Sequence, residues 1–329
     1  MEVRTLYSII IPLYNRPDEI KELLESLTQQ TYPNFEVIIV EDGSKKDAKA
    51  IVDSFREQLD VHYYYKENSG QGFSRNYGFE RAQGDYFIVF DSDCIIPPDY
   101  LEIVHREIHS RKLDAFGGPD KAHPSFTLIQ KAISYAMTSQ ISTGGIRGSK
   151  RAGEKFRPRS FNMGISRQVY EEVGGFIITR MGEDIEYSIR IEKHFFKVGL
   201  IREAFVYHKR RTNFRQFYKQ LHFFGRARIN VNRFHPGAIK WVHTLPALFV
   251  IYCATMLGSW LIDWNFFLFQ AGVLTLYTSL VFSDALARTK SLYVGFLGVG
   301  AVFVQIFAYG IGFLSELMRY SKVPELTRK

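Results

Sequence analysis

Two aspartates one residue apart, Asp91 and Asp93, directly follow the apolar run Tyr86-Phe87-Ile88-Val89-Phe90. Alternate residues of an extended strand point the same way, so both carboxylates are delivered to one edge of a sheet. In open α/β sheets, ligands gather at that edge, outside the carboxyl ends of the strands. Two hard oxygen ligands held there suit a Mg²⁺ or Mn²⁺ ion that keeps several waters and bridges substrate phosphates. An isolated Asp-x-Asp is more often a solvated turn, so its neighbours decide.

Three earlier apolar runs end in residues that fit the same ligand. Pro12-Leu13-Tyr14-Asn15 leaves the first with a ring and an amide able to flank a base. Glu41-Asp42 leaves the second with carboxylates able to accept from a base N–H. Asn68-Ser69-Gly70-Gln71-Gly72 leaves the third as a loop rich in backbone N–H groups at a helix start, with Arg75 one turn in. Such a loop is a reasonable anion site. Each piece alone is ordinary; four in order suit a nucleotide diphosphate and its metal.

The elements that must position these residues alternate. Strands are predicted at Tyr7–Leu13, Phe35–Val40, Val61–Tyr65 and Tyr86–Phe90. Between and after them come helices from Pro17, from about Asp47 to Gln58, over Gly70–Ala82 and over Pro98–Ser110. Asn15 is expected to cap the first helix, with Asp18 and Glu19 near its positive end. The alternation predicts a doubly wound α/β sheet.

With these motifs the chain resembles the family 2 glycosyltransferases of the GT-A fold. The matching residues are Ser8-Ile9-Ile10-Ile11-Pro12-Leu13-Tyr14-Asn15, Val40-Glu41-Asp42-Gly43-Ser44, Asn68-Ser69-Gly70 with Ser74-Arg75-Asn76-Tyr77-Gly78, and Asp85 through Asp93, within roughly residues 7–225. The resemblance implies a GT-A (Rossmann-like) domain, a nucleotide-diphosphate sugar donor (UDP- or GDP-sugar), Mg²⁺ or Mn²⁺, and transfer with inversion. It gives Asp42 the base, and Asp91 and Asp93 the metal and diphosphate. Pro12, Tyr14, Asn15, Asn68, Gly70 and Arg75 complete the donor side.

The resemblance extends to the acceptor half. Gly182-Glu183-Asp184 looks like the family's Glu-Asp motif at a helix start, which makes Asp184 the base and Glu183 its neighbour. An inverting transfer needs such a carboxylate to take the acceptor hydroxyl proton. Asn162 is the acceptor-side candidate; a turn-forming role fits its type equally well. His208 resembles a late histidine that ligates the metal or contacts the diphosphate. Lys209, Arg210 and Arg211 either offset leaving-group charge or, as such runs more often do, form a solvated or membrane-facing surface. Arg147, Lys150, Arg151, Lys155, Arg157 and Arg159 crowd a glycine-rich segment that either closes over the donor or is a solvated basic loop. The Gln-x-x-Arg-Trp motif of processive synthases is missing from the nearest stretch, Gln220-Leu221-His222-Phe223-Phe224-Gly225-Arg226, which favours addition of a single sugar.

The 329 residues suffice for a full core and a second region, and the net charge of +8 favours polyanionic partners. Nucleic acid is not expected, because the basic residues form no recognised binding module. Cys94 and Cys253 lie far apart, with no disulfide or zinc pattern, as in a reducing compartment. Met1 to Tyr7 has no apolar signal-peptide core. Leu245–Ile262, Phe266–Phe282 and Leu292–Leu314 are nearly charge-free runs, near the roughly 20 residues a bilayer span needs. Trp241, Trp260 and Trp264 fit interfacial anchors.

Arg226, Arg228, Arg233 and Lys240 before the first run place the catalytic half on the cytoplasmic face of the membrane, against an anionic leaflet. Three full spans would carry the basic tail to the other side, so one run is expected to be re-entrant or interfacial. The expected organisation is residues 1–225 as the GT-A domain and 226–244 as a basic amphipathic interface segment. Residues 245–318 follow as two to three transmembrane or re-entrant helices, then 319–329 as a basic tail. The acceptor expected is a lipid-linked or saccharide hydroxyl or phosphate, in surface polysaccharide or glycolipid assembly. A processive synthase, a nucleotidyltransferase and a non-catalytic membrane adaptor are the rival readings.

Overall fold

The computed structural model describes residues 5–121, 126–143 and 156–319. In chain order the elements begin β1 (Tyr7–Leu13), α1 (Pro17–Leu27), β2 (Phe35–Asp42), α2 (Lys49–Asp53), β3 (Val61–Lys66) and α3 (Gln71–Phe79). They continue with β4 (Tyr86–Phe90), β5 (Cys94–Ile95), α4 (Tyr100–Arg111), β6 (Ala115–Gly117), β7 (Asp120–Lys121), α5 (Leu128–Thr138) and α6 (Gln140–Thr143). Then come β8 (Asn162–Ser166), α7 (Arg167–Val173), α8 (Glu183–Lys193), β9 (Val198–Leu200) and β10 (Val206–His208). The last described elements are four long helices, α9 (Phe214–Phe234), α10 (Leu245–Ile262), α11 (Trp264–Thr289) and α12 (Leu292–Leu317). Two compact units result, one built from residues up to 121 with 156–209, the other from 126–143 with 210–319.

The first unit is an α/β domain around a mixed sheet in the order β3-β2-β1-β4-β8-β6-β9. β8 runs antiparallel to both β4 and β6, while the other neighbours are parallel. β1 is covered on both faces, which explains its unbroken apolar sequence. Ile9, Ile11 and Leu13 pack with α1 and α4, whereas Ile10 packs with Ile38, Val40, Phe79 and Val89 on the other face. A small second sheet, β5-β10-β7, stands at the carboxyl end of β4.

Two local expectations are corrected. Asn15 does not cap α1: Arg16 is the cap residue, without a side-chain cap bond, and Asn15 sits in the left-handed region at φ 54°. Asparagine tolerates that conformation because its amide bonds locally. Here the Asn15 backbone N–H donates to Ser44 Oγ at 2.6 Å, and its side-chain Oδ1 accepts from Lys45 N at 2.9 Å, tying the exits of β1 and β2 together. The helix expected to reach Gln58 stops at Asp53 because i→i+3 bonds at Ser54, Phe55 and Arg56 tighten the chain into successive turns.

The second unit holds α5, α6 and α9–α12. α10, α11 and α12 are long and apolar enough to cross a membrane, with mean hydropathies of 1.9, 1.6 and 2.0. The expected second run lengthens to Trp264–Thr289, started by Asp263, whose carboxylate accepts from Asn265 N and Phe266 N. Leu248, Leu257, Leu261, Phe269 and Leu276 point outward, as lipid-facing residues do. α12 is more buried, packed on α5, α9, α10 and α11.

α9 and α12 approach closely. A Cβ on Gly225 would lie 2.1 Å from Tyr309 O, and one on Gly312 would lie 2.1 Å from His222 O. Small residues that let backbones meet are the usual device where helices pack without a hydrophobic drive. Glu316 receives Arg226 Nε at 2.9 Å and Arg233 Nη1 at 2.7 Å, so two cations expected at a lipid leaflet are paired inside the unit. The boundary expected between residues 225 and 226 falls within α9.

Candidate active site

β4 lies between β1 and β8, all but its first residue buried, and releases the chain at Asp91. Cys94 N then bonds back to Asp91 O at 3.2 Å, turning the chain into β5. β5 pairs antiparallel with β10, and the register sets His208 opposite Cys94. That pairing, across 114 residues of sequence by their numbers, brings His208 Nε2 to 3.1 Å from Asp93 Oδ1 and 3.9 Å from Asp91 Oδ2. The Phe161 ring stacks on the imidazole with centroids 5.2 Å apart. Arg16, from the start of α1, holds the other Asp93 oxygen at 2.7 Å.

Carboxylate oxygens and an imidazole nitrogen brought together in this way are donors of the kind that Mn²⁺ or Mg²⁺ takes. Cys94 Sγ also comes within reach of Asp93 and His208. Burial pushes its thiol well above the ordinary range, with the charges of Asp93 and Asp91 adding to the effect. A thiol kept protonated is a poor ligand for a hard ion. Asp93 and His208, with Asp91 beside them, are the residues that could hold such an ion.

Glu183 and Asp184 open α8, where carboxylates favour the helix dipole. Asp184 accepts from Ile185 N at 2.8 Å and from Arg159 Nη1 at 3.2 Å. Glu183 is buried and takes a hydrogen bond from Gln71 Nε2 and one from Arg75 Nη1, the latter at 3.3 Å. Burial, and next the charge of Asp184, raise its hold on a proton, while Arg75 opposes them. Arg75 is wholly buried; its Nη2 donates to Asp91 Oδ1 at 2.8 Å. One guanidinium thus joins the carboxylate at the end of β4 to the carboxylate at the start of α8.

At the end of β2, Asp42 accepts from Lys66 Nζ, from Ser69 N at 2.9 Å and from Gly70 N at 2.8 Å. Burial alone would raise this carboxyl; the Lys66 ammonium and the Ser69 amide outweigh it and hold it below the usual range. Asn68 Nδ2 donates to Asp42 O at 2.7 Å, and its Oδ1 accepts from Arg180. Gly70 has φ 90°, a conformation glycine adopts without penalty. The loop expected to offer amides to an anion therefore turns two of them onto Asp42, and a third, Gly72 N, onto Thr179 O at 3.0 Å. Glu41 points inward to Ser44, Ala48 N and Tyr63. Tyr14 is half exposed and Pro12 partly buried at the same sheet edge.

Asn162 is fully buried: its Oδ1 accepts from Tyr100 at 2.6 Å and its Nδ2 donates to Ala204 O at 2.9 Å. Lys209 pairs with Glu22 at 2.7 Å, and Arg157 with Glu192 at 3.0 Å. Arg147, Lys150, Arg151 and Lys155 lie outside the described residues. Sequence reasoning missed Arg16, whose position ahead of Pro17 carries no signal. It placed Arg159 only in a basic run, although that residue meets Asp184.

Residues 8–174 match the family model described as Glycosyl transferase family 2. An uncharacterized glycosyltransferase of Haemophilus influenzae is 31% identical over 191 residues, 56% of this chain and 62% of its own length. Glycosyltransferase GlyG of Streptococcus pneumoniae is 32% identical over 115 residues, 34% of this chain and 38% of its own. An uncharacterized glycosyltransferase of Rickettsia conorii is 41% identical over 110 residues, 33% of this chain and 18% of its own. The chain thus matches less than two thirds of the length of each of these relatives. Among solved structures, the mannosyltransferase PcManGT from Pyrobaculum calidifontis, in complex with GDP-Man and Mn²⁺, shares the fold. Its TM-score is 0.65 at 15% identity, over 92% of this chain and 88% of that one.

Proposed function

The chain belongs to glycosyltransferase family 2, and from that premise we propose that it is a metal-dependent, inverting transferase moving one sugar from a nucleotide diphosphate to an acceptor hydroxyl. The observation that carries this is the Arg75 bridge: one buried cation ties Asp91, which would hold the donor's metal, to Glu183, the neighbour of the carboxylate that would activate the acceptor. Asp91, Asp93 and His208 would hold Mg²⁺ or Mn²⁺, which when bound neutralises charge on the departing diphosphate. Asp42 and Tyr14 line the donor edge, where a base can stack and hydrogen-bond.

Asp184 is the base. Its carboxylate takes the acceptor hydroxyl proton as the acceptor oxygen bonds to the anomeric carbon. The bond from that carbon to the diphosphate oxygen breaks on the opposite face, so configuration inverts. Arg159 and the Ile185 amide fix the carboxylate's orientation, and a positioned base contributes typically 10²–10⁴-fold to rate. Glu183, buried beside it, anchors the helix start to Arg75 and Gln71.

The three long apolar helices support membrane association. A lipid-linked acceptor, hydroxyl or phosphate, in surface polysaccharide or glycolipid assembly fits an enzyme held at a bilayer, with the catalytic unit on the cytoplasmic face. The decisive experiment incubates the full chain in lipid or detergent with a panel of UDP- and GDP-sugars and Mn²⁺, and follows donor turnover and lipid products by mass spectrometry. One donor should turn over in wild type and fail with Asp184→Asn and Asp91→Asn. Equal turnover by wild type and both variants overturns the reading.

A further inference from the structure

At the amino ends of the strands, away from the carboxylates above, Glu36, Asp60 and His62 gather. Asp60 and His62 are alternate residues of one extended segment, so their side chains share a face. Glu36 stands on the neighbouring strand, two residues before Ile38, the register partner of His62. His62 Nε2 lies 3.1 Å from Asp60 Oδ1 and 3.7 Å from Glu36 Oε2, and the ligand atoms of all three fall within 4.8 Å of one another.

Glu36 is the informative member. Its side chain is only 4% exposed. Oε1 accepts from Ser8 Oγ at 2.6 Å and from Gln83 N at 2.6 Å, and Ser8 Oγ is itself fixed by Gly84 N at 2.8 Å. Oε2 accepts no hydrogen bond among the described residues and faces His62. A carboxylate this far out of water is costly unless a cation reaches it. The hydrogen bonds to Oε1 fix the carboxylate plane as outer partners fix a metal ligand. Asp60 and His62 line an open surface hollow, which gives an ion a way in.

We propose that Glu36, Asp60 and His62 form a second cation site, for a divalent transition ion of the zinc type, that clips the amino ends of β2 and β3 together. Two carboxylates and one neutral imidazole balance a doubly charged ion, and three protein ligands leave a fourth position for water, a coordination zinc accepts. The site is remote from Asp184 and has no part in transfer. Its competitor is a metal-free arrangement in which a protonated His62 lies between the two carboxylates.

The test uses the untagged full chain in detergent, dialysed against buffered Zn²⁺, with bound metal measured by elemental mass spectrometry. Asp60→Asn and His62→Gln are each expected to bind about one zinc fewer than wild type. Mn²⁺-supported donor turnover should be unchanged. Zn²⁺ should raise the melting temperature of wild type more than that of either variant, because an ion that binds only the folded state stabilises it. Asp60 is largely exposed, so its substitution leaves the fold intact. Equal zinc content in wild type and Asp60→Asn overturns the proposal and leaves the protonated ion pair.

Discussion

Arg75 Nη2 donates to Asp91 Oδ1 across 2.8 Å with the arginine side chain 1% exposed. Its Nη1 meets Glu183 at 3.3 Å, so its loss strands a buried carboxylate without a cation. Breaking such a pair from one side costs about 3–5 kcal/mol. Arg75→Ala is expected to lower stability by that order. Arg75→Lys keeps the charge, but a compact ammonium lacks the planar fork that serves two carboxylates. It should recover part of the stability and little of the turnover. Thermal unfolding in detergent, run beside turnover at saturating donor, separates the two losses; wild-type turnover by Arg75→Lys would remove the bridge from the mechanism.

Asp184→Asn preserves shape and removes the base. Turnover is expected to fall about 10²–10⁴-fold, the range a positioned proton acceptor supplies. Donor and Mn²⁺ affinity should hold, since the partners of Asp184 are Arg159 and the Ile185 amide and not the proposed metal ligands. Calorimetric titration with the nucleotide diphosphate, set against the rate, checks this. A parallel loss of affinity would make Asp184 part of the donor site.

What the sequence exposed and what it concealed follow physical lines. The buried strands were legible because both faces are covered, giving unbroken apolar runs, and β1 and β4 have the bounds expected from them. Asp91 and Asp93 stood out because they follow a buried strand, whereas Glu183 and Asp184 stood out only through the resemblance to the family's Glu-Asp motif. The length of α2 was not legible, because turn bonds after Asp53 compete with a helix on equal terms. Nor were the ion-pair partners. Arg16 reaches Asp93, and Arg75 reaches Glu183, through tertiary folding over 77 and 108 positions, which leaves no local pattern. The occupied amides of Ser69 and Gly70 were hidden for the same reason, since the group that takes them, Asp42, lies on another strand.

Asp93→Asn and His208→Ala should each raise the Mn²⁺ concentration needed for half-maximal turnover. Removing a group that merely orients a ligand already costs about 10–100-fold in metal affinity, and loss of a ligand should cost at least as much. Manganese titrations monitored by electron paramagnetic resonance give the affinity without relying on turnover. Unaltered Mn²⁺ binding by both variants would remove them from the metal site.

Gly225→Ala tests the packing of the second unit. The added methyl would sit 2.1 Å from Tyr309 O, a backbone atom that a side-chain rotation cannot move aside. α9 and α12 must separate, and overpacking of this kind costs typically about 1–3 kcal/mol. The melting temperature in detergent should drop, while Gly258→Ala, with open space around its position, should be near neutral.

Asp42 gives a pH dependence of definite sign. Burial would raise its carboxyl, but the bonds from Lys66 and the Ser69 amide prevail, and in the folded chain it sits below its ordinary value. In the unfolded chain it returns to about 3.9. A carboxyl depressed by folding stabilises the native state fully above the unfolded value. That contribution is lost as pH falls from about 4 through the lower folded value, where the native state must also take up the proton. Asp42→Asn has no such proton to bind. Wild type should therefore lose its advantage over the variant below about pH 4 and keep a constant advantage from about pH 5 upward, where the carboxylate is ionised in both states. Melting temperatures of the two proteins across that range are the measurement. Curves that stay parallel through the acid limb would mean that Lys66 and the loop amides do not hold Asp42 ionised.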